Sequence, residues 1–286
     1  GSPMISFSQA QENLKALFAG WLDDQTIQTE RVGLQQALGR YLASPVFASL
    51  DLPRDNVSAM DGYALSPLSP GAVSSGEEYR LIGESRAGEP YSGPALNAGE
   101  CVRIFTGAVV PNSANTVVIQ EDVSVSSDQV IVINEAVRIG ANIRLQGEEI
   151  AAGVEIASAG QQMKPNMVPL LASQGVGEVE VVRMLRVAFV ATGDELKAPG
   201  ETLGTGDIYE SNLASIQAVL GAYRLELQNL GVVEDTPEAI STCLARAAES
   251  ADVVISSGGV SVGDYDFVRQ CVESMGILTD YKVAMK

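Results

Sequence analysis

SSGGVSVGDYD, residues 256–266, is the stretch from which the fold of this chain can be worked out. It follows the apolar run DVVI (252–255) and precedes a helical pattern at 267–275, so it is typical of a loop between a strand and a helix. Such a loop offers backbone N–H groups to an anion, and it places Asp264 and Asp266 where a metal ion could bind. The alternative is that one of these aspartates is only the N-cap of the helix.

The alternation of strand and helix extends upstream of this loop. Strand patterns at 186–191, 224–230 and 252–256 alternate with helical patterns at 211–222, 237–250 and 267–275. Thr236 followed by Pro237 is a typical helix start, with the threonine as N-cap. A β-α-β-α-β-α order predicts a parallel sheet with right-handed crossovers. We therefore expect an α/β domain over residues 184–286.

Three acidic loops follow the three strands of this domain. They are TGDEL (192–196), GVVEDTP (231–237) and the loop at 256–266. Ligands of open α/β sheets bind beyond the carboxyl ends of the strands, so we expect Glu195, Asp235 and Asp266 to face one crevice. Each acid has an ordinary alternative role in a turn or at a helix start. Together, however, carboxylates in one crevice repel one another unless cations bind, which predicts Mg²⁺ and a phosphorylated ligand.

The first 183 residues show different patterns. A capping-box pattern at Ser8 and Gln11 predicts a helix that ends near Trp21, and a second helix is predicted at 32–41. Residues 50–144 contain short strand-like runs separated by glycines and prolines, which predicts a small all-β domain; the runs are 78–82, 100–105, 116–120, 123–125 and 130–134. A short helix near 165–173 and a strand pair around 176–182 follow. We expect residues 4–49 and 145–183 to form an elongated connecting module.

The composition excludes several classes of function. There are 18 Lys and Arg residues against 36 Asp and Glu residues, a net charge of −18 that repels nucleic acid and anionic membranes. Histidine is absent, which excludes a Ser-His-Asp system and the HExxH zinc motif. Neither GxGxxG nor GxxxxGK[ST] occurs, and the three cysteines are too far apart for a zinc site. With no signal peptide and no apolar run of membrane-spanning length, we expect a soluble cytoplasmic protein.

Seven motifs in this order resemble those of the molybdopterin molybdenumtransferases, the MoeA and gephyrin E-domain family. They are DNVSAMDGYAL (55–65), AGEPYSG (87–93), RIFTGAVVP (103–111), GANIRLQGEEI (140–150), ATGDELKAPG (191–200), GDIYESN (206–212) and SSGGVSVGDYD (256–266). The resemblance covers nearly the whole chain. It implies insertion of molybdate into adenylylated molybdopterin with release of AMP, in a Mg²⁺-dependent step of molybdenum cofactor biosynthesis.

The resemblance also implies partners and site residues. Family members are homodimers whose site lies between the α/β domain of one subunit and the β domain of the other, and a molybdopterin adenylyltransferase acts upstream. The implied catalytic residues are Asp266, Asp235, Glu195, Asp61, Thr106 and Glu149. The implied substrate-binding residues are Gly258, Gly259, Ser261, Gly263, Asp264, Thr192, Gly193 and Lys286, and the implied metal ligands are Asp235, Asp266 and Glu195.

Two features depart from the family pattern. Glu149 stands where the family usually has Asp, so the distance of its carboxylate from a ligand is open. The sequence ends at Lys286, where relatives continue with a Pro-Gly-Lys-Pro motif and a C-terminal β domain, so we expect a C-terminally truncated chain that can be folded and yet inactive. Two alternatives to the enzyme are a binding or scaffold module on the same fold and a generic Mg²⁺-dependent nucleotide-binding enzyme.

Overall fold

The computed structural model describes residues 4–24, 26, 28–258, 266–279 and 283–284. The chain forms two compact units. We call residues 1–44, 159–168 and 177–286 the α/β unit, and residues 45–158 and 169–176 the β unit. The predicted α/β plus β fold class is confirmed, whereas the predicted domain boundaries stay predictions.

The elements are numbered in chain order. The helices are α1 (Phe7–Asp24), α2 (Met167–Ser173), α3 (Asn212–Leu220), α4 (Pro237–Ser250) and α5 (Phe267–Met275). The strands of the first half are β1 (Ile5–Ser6), β2 (Thr29–Gly33), β3 (Val46–Phe47), β4 (Val57–Ser58), β5 (Gly62–Ser66), β6 (Glu78–Ser85), β7 (Glu100–Ile104), β8 (Thr116–Ile119), β9 (Val123–Ser127) and β10 (Val130–Ile133). The remaining strands are β11 (Ile143–Arg144), β12 (Glu155–Ala157), β13 (Glu178–Val182), β14 (Leu185–Thr192), β15 (Leu196–Lys197), β16 (Ile208–Tyr209), β17 (Leu225–Val233), β18 (Val253–Ser257) and β19 (Val283–Ala284).

The α/β unit is built on a parallel sheet in the order β17-β14-β18. The central strand β14 has the sequence LRVAFVAT, and its last six residues are all buried, as expected for a strand covered on both faces. Phe189 and Ala191 of β14 pack with Leu213 of α3. Ile240 of α4 packs with Val268 of α5. The predicted alternation of three strands and three helices is confirmed.

Helices α4 and α5 begin and end where the sequence predicts. The Thr236 hydroxyl accepts a hydrogen bond from the Ala239 N–H, and Pro237 occupies the first turn of α4, where a missing N–H costs nothing. Helix α1 is longer than predicted, because it starts at Phe7 and runs to Asp24. Its first turn is capped by Ser6, whose hydroxyl accepts from the Gln9 N–H over 3.1 Å, and Ser8 lies inside the helix.

The predicted helix at 32–41 is wrong. Residues 29–33 form β2, which pairs antiparallel with β13, and residues 34–39 form turns that end at Gly39 with a φ of +78°. The strand pair predicted around 176–182 is also wrong, since only β13 forms there and its partner is β2. Both errors have one cause: the pairing joins residues about 150 positions apart, such as Val32 and Val179, and local spacing carries no information about such a partner.

The β unit contains a six-stranded sheet in the order β8-β5-β7-β6-β10-β9. The β6–β7 pair is parallel and the other pairs are antiparallel. The five strand runs predicted between 78 and 134 are confirmed within a few residues at their ends. Cys101 lies in the core with Leu65 and Tyr79, and burial raises the pKa of its thiol to about 12, so it is an inert thiol.

No helix among the described residues is long and apolar enough to cross a lipid bilayer.

Asp252 anchors the amino ends of the parallel strands. Its buried carboxylate accepts hydrogen bonds of 2.7 and 2.8 Å from the two terminal nitrogens of Arg183. It also accepts from the Arg186 N–H over 2.8 Å. The hydrogen bonds from the Arg183 guanidinium, followed by the Arg186 N–H, hold the pKa of Asp252 well below its usual range. These ion pairs and hydrogen bonds hold the amino edge of the sheet, although the charged groups lose hydration when the protein folds.

We expect Asp252→Asn to lower the free energy of unfolding by about 2 kcal/mol at pH 7, because it removes a charge from a mostly buried pair. The carboxylate binds a proton less readily in the folded protein than in the unfolded chain. Its stabilisation is therefore complete above the unfolded-state pKa of about 4 and declines as the pH falls from there towards the folded-state pKa. The difference between wild type and variant should thus shrink between pH 5 and pH 3. Urea unfolding followed by fluorescence of Trp21, the single tryptophan, measures it. Asp128→Asn, at an exposed aspartate, is the control; an equal difference at both pH values would contradict the linkage.

Candidate functional site

The carboxyl ends of β14, β17 and β18 form the candidate site. The strands are parallel and in register, with Thr192 beside Val233 and Ala191 beside Ser257. Their last residues therefore lie along one edge of the sheet, and the loops that follow them start next to one another. This is the edge at which the sequence predicts a crevice.

The first two of these loops are joined by hydrogen bonds. The hydroxyl of Thr192, which is buried, donates to the Oδ1 atom of Asp235 over 3.0 Å. The Asp235 N–H in turn donates to the Oδ1 atom of Asp194 over 3.3 Å. The half-buried Asp235 is thus fixed through both its side chain and its main chain. The predicted convergence of TGDEL and GVVEDTP is confirmed.

Gly258 brings the third loop against the end of β14. Its φ is +87°, and a Cβ atom at this position would lie 2.3 Å from the carbonyl oxygen of Thr192. Only glycine permits both this backbone conformation and this approach. On the neighbouring residue, the Ser257 hydroxyl accepts a 2.7 Å hydrogen bond from the side-chain amide of Asn212, the first residue of α3. The GDIYESN motif therefore also reaches this edge.

Asp266 lies at the start of α5. Its side chain is 3% exposed and accepts a hydrogen bond from the Arg269 N–H over 3.0 Å, which makes it the N-cap of the helix. The capping alternative from the sequence is therefore correct for its structural role, and a functional role remains compatible with it. The predicted residues Gly259, Ser261, Gly263, Asp264 and Lys286 lie outside the described residues.

Glu195 is exposed at the same edge, and its carboxylate lies beside Gly193. A Cβ atom on Gly193 would meet the Glu195 carboxylate oxygens at 2.8 and 2.9 Å. Among the described residues, which leave out 259–265, no group of three or more His, Cys, Asp or Glu side chains is close enough together to hold a metal ion. Asp235, Asp266 and Glu195 are all described, and they do not form such a group. The predicted metal set stays a prediction that the described side chains alone do not support.

In the β unit, Asp61 and Thr106 contact each other directly. The Oδ1 atom of Asp61 accepts two hydrogen bonds of 2.8 Å, one from the Thr106 N–H and one from its hydroxyl. These bonds, and then the positive charge of Arg103, hold the pKa of Asp61 below its usual value although the carboxylate is exposed. The residues belong to two separate motifs of the sequence, and the structure unites them in one ionised, solvent-facing group.

Glu149 forms an ion pair with Arg144. Arg144 also contacts Glu148 at 3.1 Å, and the Glu148 carboxylate accepts from the Leu145 N–H over 2.8 Å. The Glu149 side chain remains about half exposed. Its charge is thus partly balanced before any ligand binds. Sequence reasoning did not single out Arg144, although this residue stands within GANIRLQGEEI between the two glycines.

The α/β unit defines a class of protein with an open parallel sheet, a glycine-dependent loop and acidic residues at its carboxyl edge. Residues 5–175 match the family model described as the MoeA N-terminal region (domain I and II), and residues 188–285 match a probable molybdopterin binding domain. The chain belongs to the MoeA family.

Relatives of the chain carry consistent names. It is 36% identical over 263 residues to a molybdopterin molybdenumtransferase of Haemophilus influenzae, with 91% of this chain and 63% of the relative covered. It is 37% identical over 268 residues to a molybdopterin molybdenumtransferase of Nostoc, with 89% and 58% covered. The chain therefore spans about three fifths of the length of these curated relatives. A crystal structure of a molybdopterin biosynthesis MoeA protein from Pyrococcus horikoshii aligns with a TM-score of 0.80 at 26% identity and covers 96% of this chain and 67% of that one.

Proposed function

We propose that this chain takes part in molybdenum cofactor biosynthesis as a molybdopterin molybdenumtransferase. In this reaction molybdate is inserted into adenylylated molybdopterin and AMP is released. The observation that carries the proposal is the joined edge of the α/β unit, where Thr192, Asp235 and Gly258 bring three loops together. The match of residues 188–285 to a molybdopterin binding domain and the names of the relatives support it.

The glycine-rich sequence at this edge favours binding of a phosphorylated substrate, whereas the negative charge of the chain opposes it. The glycine-rich sequence that starts at Gly258 is of the type that binds a phosphate through backbone N–H groups. The net charge of −18 opposes binding of an anion, so the substrate charge has to be balanced locally. Mg²⁺ would supply that balance when bound. A calorimetric titration of the protein with Mg²⁺ tests this, and the absence of heat would contradict its involvement.

In the proposed reaction, carboxylates orient the reacting groups. Hydrolysis adds a water oxygen to the phosphorus of the adenylate and breaks the P–O bond that joins it to the phosphate of molybdopterin. AMP, molybdopterin and a proton are the products. Because the chain has no histidine, a carboxylate is the best available group to orient that water by accepting its hydrogen bond. We assign this role to Asp235, which Thr192 holds, and to Asp266, which α5 holds. Side chains fixed before the ligand arrives lose little entropy on binding.

The proposal is tested with the protein, adenylylated molybdopterin and molybdate. We expect heat on titration of the adenylylated molybdopterin and AMP on addition of molybdate. Heat without AMP would remove the enzymatic assignment. No detectable heat would favour the alternative, a binding or scaffold module on the same fold.

We expect Thr192→Val to lower the rate of AMP release about 10-fold, because the variant leaves Asp235 without the hydroxyl that orients it. Valine keeps the shape of the side chain, so the thermal midpoint should fall only slightly. Thr242→Val makes the same chemical change on the exposed face of α4 and is the control. Equal rates for the two variants would show that Thr192 does not act through Asp235.

Three further expectations belong to the proposal: a homodimer, a cytoplasmic location, and supply of the substrate by an upstream molybdopterin adenylyltransferase. Sedimentation equilibrium tests the first, since a mass of about 30.0 kDa would mean a monomer. Cell fractionation tests the cytoplasmic location, and recovery in the membrane fraction would contradict it. A coupled assay with the adenylyltransferase tests the supply of the substrate.

A further inference from the structure

Arg103 occupies a central place in the β unit that the proposed reaction does not explain. It lies on β7 directly opposite Tyr63 of β5. Its guanidinium carbon is 5.0 Å from the ring centroid of Tyr63 and 4.8 Å from that of Phe105. Contacts of this kind with two rings restrict the orientation of the planar guanidinium. Arg103 is half-buried and is therefore a fixed group rather than a mobile surface charge.

The same guanidinium holds the backbone of Asp61 and of the residue that follows it. One terminal nitrogen donates to the carbonyl oxygen of Gly62, the residue after Asp61, over 3.0 Å. The other donates to the side-chain oxygen of Gln120 over 2.6 Å. The Gln120 N–H donates to the carbonyl oxygen of Asp61 over 3.0 Å. Arg103 thus ties the start of β5 to the turn that follows β8, and Gln120 of that turn holds the main-chain carbonyl of Asp61.

Arg103 also contacts the segment that carries Thr106, the hydrogen-bond partner of the Asp61 carboxylate. Thr106, which donates twice to the Asp61 carboxylate, follows Phe105, whose ring is in contact with Arg103. The two hydrogen bonds depend on the separation between the start of β5 and the turn after β7. Arg103 contacts both segments. Removing it would let the exposed Asp61 carboxylate and Thr106 move apart.

We propose that Arg103 is the positioning residue for the Asp61–Thr106 pair. The guanidinium holds the backbone at Asp61 and contacts the ring of Phe105, the residue before Thr106. The carboxylate of Asp61 is thereby presented to solvent in one orientation. A part for Asp61 in catalysis is implied by the family resemblance and rests on the proposed function, whereas its positioning by Arg103 does not. Lysine cannot replace Arg103 fully, because an ammonium group cannot hold Gly62 and Gln120 in the same plane while it contacts two rings.

The test compares Arg103→Gln with Arg86→Gln by carboxyl-carbon NMR of Asp61 and by kinetics. Arg86 also lies over Phe105, at 6.0 Å, but its side chain is 60% exposed and paired with Glu84. We expect Arg103→Gln to raise the pKa of Asp61 by about 0.5 unit or more, since the Thr106 hydrogen bonds loosen and a positive charge is lost. We also expect kcat for AMP release to fall about 10-fold, with a smaller change in KM. Arg86→Gln should change neither quantity, and Arg103→Lys should restore part of each.

A second variant keeps the proposal testable if Arg103→Gln does not fold. Gln120→Ala removes only the exposed partner of one guanidinium nitrogen, and we expect a smaller rise in the pKa of Asp61. An unchanged Asp61 pKa in every folded variant would overturn the positioning role. A raised pKa with unchanged kcat would overturn the catalytic part. If the wild-type protein itself releases no AMP, the proposed function fails, and the NMR titration still decides whether Arg103 positions Asp61.

Discussion

Asp266→Asn is expected to reduce the rate of AMP release at least about 100-fold while the protein stays folded. Asp266 has two separable properties in the structure: it caps α5 through the Arg269 N–H, and it places a carboxylate at the end of the third loop. Asparagine caps a helix about as well as aspartate, so the variant keeps the cap and loses the charge. The measurement is the initial rate of AMP release together with the thermal midpoint of each protein.

Asp266→Ala provides the matched control, because alanine removes the cap as well as the charge. We expect the alanine variant to be as inactive as the asparagine variant and less stable by about 1 kcal/mol. Full activity in Asp266→Asn would reduce Asp266 to a capping residue. In that case the proposed chemistry would depend on Asp235 and on residues that the structure does not describe.

The parallel sheet of the α/β unit and its three helices could be predicted from the sequence because their signals are local. A continuous apolar run such as VAFVA (187–191) is typical of a strand buried on both faces, and Thr236–Pro237 marks a helix start by capping chemistry alone. The segment at 32–41 could not be predicted in this way. Its apolar residues have helical spacing, but β2 is stabilised by β13, a strand that lies far along the chain.

The candidate site likewise contains contacts that the sequence could predict and contacts that it could not. Parallel strands place their loops at one edge, so the convergence of Thr192 and Asp235 follows from topology once the strands are assigned. The contact of Asp61 with Thr106 does not follow, because it depends on the register of β5 with β7, which no local pattern specifies. Arg103 was missed for the same reason: within RIFTGAVVP it reads as one polar residue of a strand, and only the register places Tyr63 opposite it.

Gly258→Ala is expected to lower the free energy of unfolding of the α/β unit by about 3–4 kcal/mol. Two costs combine here. A non-glycine residue at a φ of +87° is strained, and the new Cβ atom would lie 2.3 Å from the carbonyl oxygen of Thr192, a main-chain atom of the central strand that cannot rotate away. The third loop has to move from the sheet edge, so AMP release should be lost even in molecules that remain folded. Urea unfolding followed by Trp21 fluorescence, with an activity assay below the transition, measures both effects.

Gly231→Ala separates strain from contact. Gly231 has a φ of +74°, and a Cβ atom there would meet nothing within 4 Å. We therefore expect this variant to lose only about 1–2 kcal/mol, the cost of the backbone conformation alone. The difference between the two variants measures what the close approach of Gly258 to Thr192 contributes. Equal losses would mean that the third loop yields to the methyl group without cost, and the sheet edge would then be too loose to hold Thr192, Asp235 and the Gly258 loop as one preorganised site.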